Sequence, residues 1–174
     1  MLLLHQGEPT TVRVTNHSME HTAIYWHGME LDNAYDGVLG VAGMPGQPTR
    51  AIAPGASFDA LMTPPPAGTF IYHTHLMELR QAESGLHGAL IVLPPGAARN
   101  AAYDHVFILG TLHNKGVVLN GAKVAPELEF DADRVHRLRL INITTGAPGP
   151  AESRLEVRSA AGVLLARQPI RLLA

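Results

Sequence analysis

Among the side chains able to do chemistry, two histidines one residue apart, His73 and His75 in Tyr72-His73-Thr74-His75, form the densest group. In a strand, residues two apart project to the same face, roughly 6.6 Å apart along the chain, so both imidazoles would belong to one site. The same geometry places Tyr25 and His27 on one face of Ile24-Tyr25-Trp26-His27 and turns Ile24 and Trp26 to the other, apolar face. If the two segments end side by side, three imidazoles and a phenol converge. Imidazole ligates copper, zinc, iron and nickel, and an all-nitrogen site fits copper or zinc without choosing between them. A lone His-x-His pair is a modest signal, because exposed or hydrogen-bonded histidine pairs share the pattern.

The segments that must position these groups read as short strands. Residues 10–15 (Thr-Thr-Val-Arg-Val-Thr) alternate with period two, Asn16-His17-Ser18 starts a turn, and residues 23–28 form the next strand. Residues 28–55 are rich in Gly, Pro, Asp and Asn and read as a long loop with at most short strands; a loop of that length is usually functional. A strand over 57–62 follows. Pro64-Pro65-Pro66-Ala67-Gly68 must then turn the chain before the strand over 69–75, because proline has no backbone donor for a ladder. The apolar run 88–93, closed by Pro94-Pro95-Gly96, suits the middle of a sandwich. A first domain therefore spans 1–98.

Beyond residue 99 the pattern restarts, with short strands expected over 105–109, 117–119, 128–130, 135–143, 154–157 and 163–166, and with Asn120-Gly121 as a hairpin turn. In Arg137-Leu138-Arg139-Leu140-Ile141-Asn142 the alternation predicts leucines inward and arginines outward. No helix is expected, so the chain reads as all-β.

Composition sets outer bounds. The 174 residues, 46% hydrophobic and 16% charged, are enough to bury a core. A net charge of -2 gives no footprint for nucleic acid, and no apolar run approaches the roughly 18 residues that a membrane-spanning helix needs. Met1-Leu2-Leu3-Leu4 is too short for the core of a signal peptide. With no cysteine, thiolate catalysis, disulfides and cysteine-based metal sites are all excluded. Met19, Met29, Met44, Met62 and Met77 are spread over different segments and read as core or loop filling.

Four segments in order carry a family resemblance: Ile24-Tyr25-Trp26-His27-Gly28, Tyr35-Asp36-Gly37-Val38, the run from Gly68 to His75, and the run from Ser84 to Val92. Together they resemble the first-domain signature of bacterial, laccase-like multicopper oxidases. A fainter likeness to the family's second domain continues through Leu119-Asn120-Gly121 and Arg137 to Ile143. The resemblance implies a cupredoxin-like Greek-key β-sandwich, nearly complete over 1–98 and followed by a partial second one over 99–174. It also implies copper as cofactor, dioxygen as the molecule reduced, and a periplasmic or secreted location. Carried over residue by residue, it makes His27, His73 and His75 ligands of the coupled binuclear (type 3) coppers, and it puts Asp36 near the type 2 copper and its water, in a proton-delivery role; the bland alternative for Asp36 is a turn aspartate before Gly37.

The chain departs from the family at three points. Tyr25 stands where the family has the histidine that binds type 2 copper, and a phenol binds metal usefully only as a metal-stabilised phenolate. His87 stands where tyrosine is usual and reads as structural. The cysteine of the family's type 1 copper is missing with every other cysteine. The expectation is a fragment or degenerate member that supplies part of a cluster and needs another chain or domain to complete it. A copper-free cupredoxin-fold scaffold for protein contacts is the alternative, and a three-imidazole zinc site is a further one. Glu78 and Glu83 read as surface acids that could steady a ligand. His5, His17, His21, His105, His113 and His136 read as scattered.

Overall fold

The computed structural model describes residues 1–123, 128–131, 133–145, 153–159 and 161–170. In chain order its elements are β1 (Leu2–His5), β2 (Thr10–Thr15), β3 (Ile24–His27), β4 (Gly43–Met44), β5 (Gln47–Pro48), β6 (Ser57–Met62), β7 (Gly68–Thr74), α1 (Glu78–Glu83) and β8 (His87–Leu93). There follow β9 (Asp104–Leu112), β10 (Gly116–Leu119), β11 (Arg137–Ile143), β12 (Ser153–Arg158) and β13 (Leu164–Ile170). The expected all-β character holds.

The central sheet has the order β1-β8-β7-β3, and β2 pairs with β6 in a second sheet. Alternation along the strands sends Leu4, Ile24, Trp26, Leu90 and Val92 to one side of the central sheet. There they bury against Ala60 and Met62 of β6, with Val12, Val14, Phe58, Phe70 and Tyr72 packed around them. On the other side Ala89, Ile91 and Leu93 meet Val106, Ile108 and Ile141 of the sheet β10-β9-β11. β8 is covered on both faces, which is why its sequence is continuously apolar rather than alternating. Leu90 is fully buried in this strand, so Leu90→Ala is expected to cost about 2–5 kcal/mol in urea unfolding, whereas Leu61→Ala on the exposed side of β6 should stay within about 0.5 kcal/mol.

One strand is new, and three expectations are corrected. Residues 2–5 form a strand that pairs in parallel with β8, Leu2 beside Leu90, a contact too distant along the chain for local pattern to show. Residues 78–83 form a helix. Residues 128–130 join no ladder, and Phe130 instead lies against the rings of His105 and His136. In β11, Arg139 points inward, 8% exposed, while Leu140 is the exposed one. The reason is Asp104 at the start of β9: Arg139 Nε and Nη2 donate to its two carboxylate oxygens at 2.7 and 2.8 Å, and Nη1 donates to Thr69 Oγ1 of β7 at 2.8 Å. A buried partner overrides what alternation alone prescribes. Asn120-Gly121 does turn the chain, with φ of 48° and 79° and a single Leu119–Ala122 bridge closing it, but the hairpin itself joins β9 to β10 through residues 113–115. Among the described residues no helix is long and apolar enough to cross a membrane.

Candidate metal centre

The register of β3 on β7 sets Tyr25 opposite His73 and Ile24 opposite Thr74. Opposed residues of an antiparallel pair point to the same face, so the phenol and the first imidazole meet across the ladder, with His27 two residues along on that face. Pairing extends one step past β7, where the His75 amide donates to the carbonyl of Ala23 at 2.9 Å. That bond fixes the backbone of the second histidine. The Tyr25 ring centroid lies 5.4 Å from His27, 5.6 Å from His73 and 5.3 Å from His75. His73 lies 5.5 Å from His27 and 6.2 Å from His75. All four side chains singled out by spacing are gathered in one place, with the phenol among the three imidazoles.

His73 is the buried member, 6% exposed. Its Nδ1 lies 2.8 Å from the carbonyl oxygen of Thr74, which can only accept, so the hydrogen bonds assign the proton of neutral His73 to Nδ1. Its bare Nε2 faces His27 Nδ1 at 3.3 Å and accepts from it. Two nitrogens held by one ion at about 2.0–2.1 Å stand roughly 2.9–3.4 Å apart, from square to tetrahedral arrangements. The His27–His73 separation has that span, and the carbonyl behind His73 orients the ring as a ligand's outer partner does. The donor set therefore fits a nitrogen-loving ion such as copper. Among the described residues, no three His, Asp or Glu side chains gather tightly enough to enclose an ion by themselves.

Asp36 reaches the rim through the long loop. Gly37, at φ +86°, lies so close to β3 that a Cβ would overlap the carbonyl oxygen of Ile24 and come within 2.8 Å of its carbon. Burial raises the Asp36 carboxyl above the ordinary carboxylate value and the charge of His75 pulls it back, so the acid lies within electrostatic reach of the second histidine.

The remaining candidates sit elsewhere. Glu83 accepts from Thr145 Oγ1 at 2.7 Å, and its carbonyl accepts from the His113 amide, so it ties α1 to the β9 sheet rather than steadying a ligand. The Glu78 side chain lies outside the described residues. His87 Nδ1 donates to the Ala82 carbonyl at 3.2 Å, and its ring fits over Gly110; burial lowers its basicity, against that hydrogen bond. The structural reading of His87 agrees with these contacts. His5 bonds the carbonyl of Ala97. His105 and His136, far apart in sequence, come within 3.1 Å of each other, and no spacing rule could have paired them.

Spacing also missed the support beneath the two histidine strands. Gln81 on α1 is buried, and its side chain bonds to both strand ends. The only local signal was a run of good helix formers, Glu-Leu-Arg-Gln-Ala-Glu, between Met77 and Ser84.

Comparison with known proteins agrees with the motifs. The profile of the multicopper oxidase family matches residues 1–97. Laccase-1 of Emericella nidulans is 33% identical over 91 residues, 52% of this chain and 14% of that protein. A laccase of Pycnoporus cinnabarinus is 33% identical over 155 residues, 83% of this chain and 26% of that protein. The crystal structure of a multi-copper oxidase from Pseudomonas thermotolerans superposes with a TM-score of 0.71 at 26% identity, covering 97% of this chain and 45% of that one. The chain thus spans a minor part of each relative's length, and fungal and bacterial relatives match alike. On the family profile, with the cupredoxin-like sandwich and the four ordered motifs beside it, this chain belongs to the multicopper oxidase family.

Proposed function

We propose that the chain carries one half of the copper cluster of a multicopper oxidase, with the other half supplied by another domain or chain. The observation that carries this reading is the His27 Nδ1–His73 Nε2 separation of 3.3 Å, backed by the Thr74 carbonyl that leaves His73 Nε2 bare. In this reading His27 and His73 present nitrogens to one copper of the type 3 pair and His75 presents its ring to the other. Copper bound there would supply the one-electron steps by which dioxygen is reduced to water.

Tyr25 takes the place of the type 2 ligand. Its ring centroid sits 5.3–5.6 Å from those of all three imidazoles, so the phenol occupies the ligand position without adding a fourth imidazole. Asp36, kept basic by burial and facing His75, would hold a proton at its carboxylate for delivery to the site. The chain divides near residue 98 in this reading, the first sandwich carrying the ligands and residues 99–174 belonging to a second cupredoxin-like unit.

Copper titration of the full chain in competition with a chelator, followed by absorption and electron paramagnetic resonance, tests the proposal. Wild type is expected to take up copper, and the His73→Ala, His75→Ala double variant to lose at least a hundredfold in affinity while keeping its fold by circular dichroism. Equal uptake by the two proteins would sink the assignment. No uptake by wild type would favour the copper-free scaffold, toward which the replacement of a ligand by Tyr25 already leans.

A further inference from the structure

α1 lies beneath the ends of the two strands that carry the histidines. Its Gln81 is 8% exposed and uses both ends of its amide. Oε1 accepts from Thr22 Oγ1 at 2.9 Å and from Thr74 Oγ1 at 2.6 Å, while Nε2 donates to the carbonyl of His21 at 2.8 Å. Thr22 lies at the entry to β3, and Thr74 is the residue between His73 and His75; they are 4% and 0% exposed. On the same helix Arg80 forms a two-pronged ion pair with Glu20, so three consecutive residues of the entry segment, 20 to 22, are held from α1.

We infer that Gln81 is a positioning residue for the metal centre, clamping the entry of β3 to the exit of β7 so that the nitrogens of His27 and His73 keep a ligand spacing. The β3–β7 ladder is four residues long, extended by the bond from His75 to Ala23; among the described residues no strand pairs with β3 on its outer side, where only Thr22, just ahead of it, bridges to Ile52. Burial of Ile24 and Trp26 fixes the register, but the ends of so short a ladder fray unless they are tied, and one buried amide ties the entry of β3 to the exit of β7. Thr74 also places the carbonyl that orients His73, so a Thr74 that loses its hydroxyl partner loosens the ring as well as the backbone. Spacing of 2.9–3.4 Å between ligand nitrogens leaves tolerance of only about half an ångström, which is less than a frayed strand end moves.

This inference rests on the copper reading of the site, and the experiment separates the two. Gln81→Leu removes all three bonds at similar volume; Thr22→Val and Thr74→Val each remove one hydroxyl without changing shape and serve if the first variant does not fold. Val118→Ala, in the far sheet, controls for a general loss of stability. Two quantities are measured well below each variant's melting temperature: copper affinity by chelator competition, and the imidazole nitrogen signals of His73 in the metal-free protein. For Gln81→Leu, affinity is expected to fall at least tenfold and the single proton position of His73 to become a mixture. The threonine variants should weaken binding threefold or more, and Val118→Ala should change neither quantity. If Gln81→Leu, or the threonine pair in its place, keeps copper affinity within twofold and leaves His73 unchanged, the clamp is refuted even if melting temperature drops. If wild type takes up no copper but the His73 signals still respond, the positioning stands and the copper reading fails.

Discussion

Replacing Asp104 by alanine is expected to destabilise the chain by about 3–5 kcal/mol, the range for removing one partner of a buried ion pair. Arg139 and Asp104 are 8% and 9% exposed, and the guanidinium binds both carboxylate oxygens. Arg99 adds to the cost: it donates to the Asp104 backbone carbonyl, with its Nε 4.0 Å from the same carboxylate, so the alanine variant would leave two guanidinium groups facing each other. Urea unfolding of Asp104→Ala and of an Asp104→Leu, Arg139→Met double variant measures the effect. The double variant should recover most of the loss, and a single variant that loses less than about 1 kcal/mol would refute the account. The hydrogen bonds from Arg139 hold the Asp104 carboxyl below its ordinary value, against the effect of burial. A lowered carboxylate contributes stability that is complete above its unfolded value, near 4, and that disappears as pH falls through the lower folded value. The gap between wild type and Asp104→Ala should therefore be constant at neutral pH and shrink only in strong acid.

Gly37→Ala is the second large effect. A left-handed φ costs a side chain about 1–3 kcal/mol, and forcing a methyl group against the Ile24 carbonyl adds about 1–3 kcal/mol of overpacking, for a loss of roughly 2–6 kcal/mol. Gly40→Ala supplies the control: its φ is +75° but nothing lies within 4 Å of the added carbon, so only the backbone component should appear. The Gly37 variant should also weaken copper uptake, because the loop that carries Asp36 must move away from β3, whereas the Gly40 variant should not. Thermal melts alongside the copper titration give both readings; equal losses for the two variants would show that the close approach to Ile24 does not matter.

How far the fold and the site could be read from sequence follows from the range of the interactions involved. Tyr25, His27, His73 and His75 were legible because side-chain direction in a strand repeats every two residues, a rule local enough to survive without coordinates. The run in β8 was legible as a strand covered on both faces for the same reason. Arg139 was misread because alternation assumes that one face of the strand is wet, while β11 packs toward β7 and finds Asp104 and Thr69 there. α1 was missed because six residues cannot hold a helix by propensity; it persists through Gln81, Arg80 and Glu83, whose partners lie in the segment 20–22, at Thr74 and at Thr145. The His105–His136 contact and the β1–β8 pairing are likewise products of tertiary structure that no local window contains.

The parallel seat of β1 beside β8 has a consequence for the order of assembly. β7 and β8 can pair as soon as the helix and turn between them are made, but Leu2 has Leu90 as its partner, and Leu4 has Val92. Pairing across so large a separation in sequence slows folding, because the loop must close before its contacts reward it. During synthesis at about 5–20 residues per second, the apolar first strand waits roughly 4–18 seconds before the strand it pairs with has been made. Through that interval Leu2, Leu3 and Leu4 are without their final neighbours and the β8 edge does not yet exist, so recovery of folded chain should depend on synthesis rate and on whatever shields those leucines meanwhile.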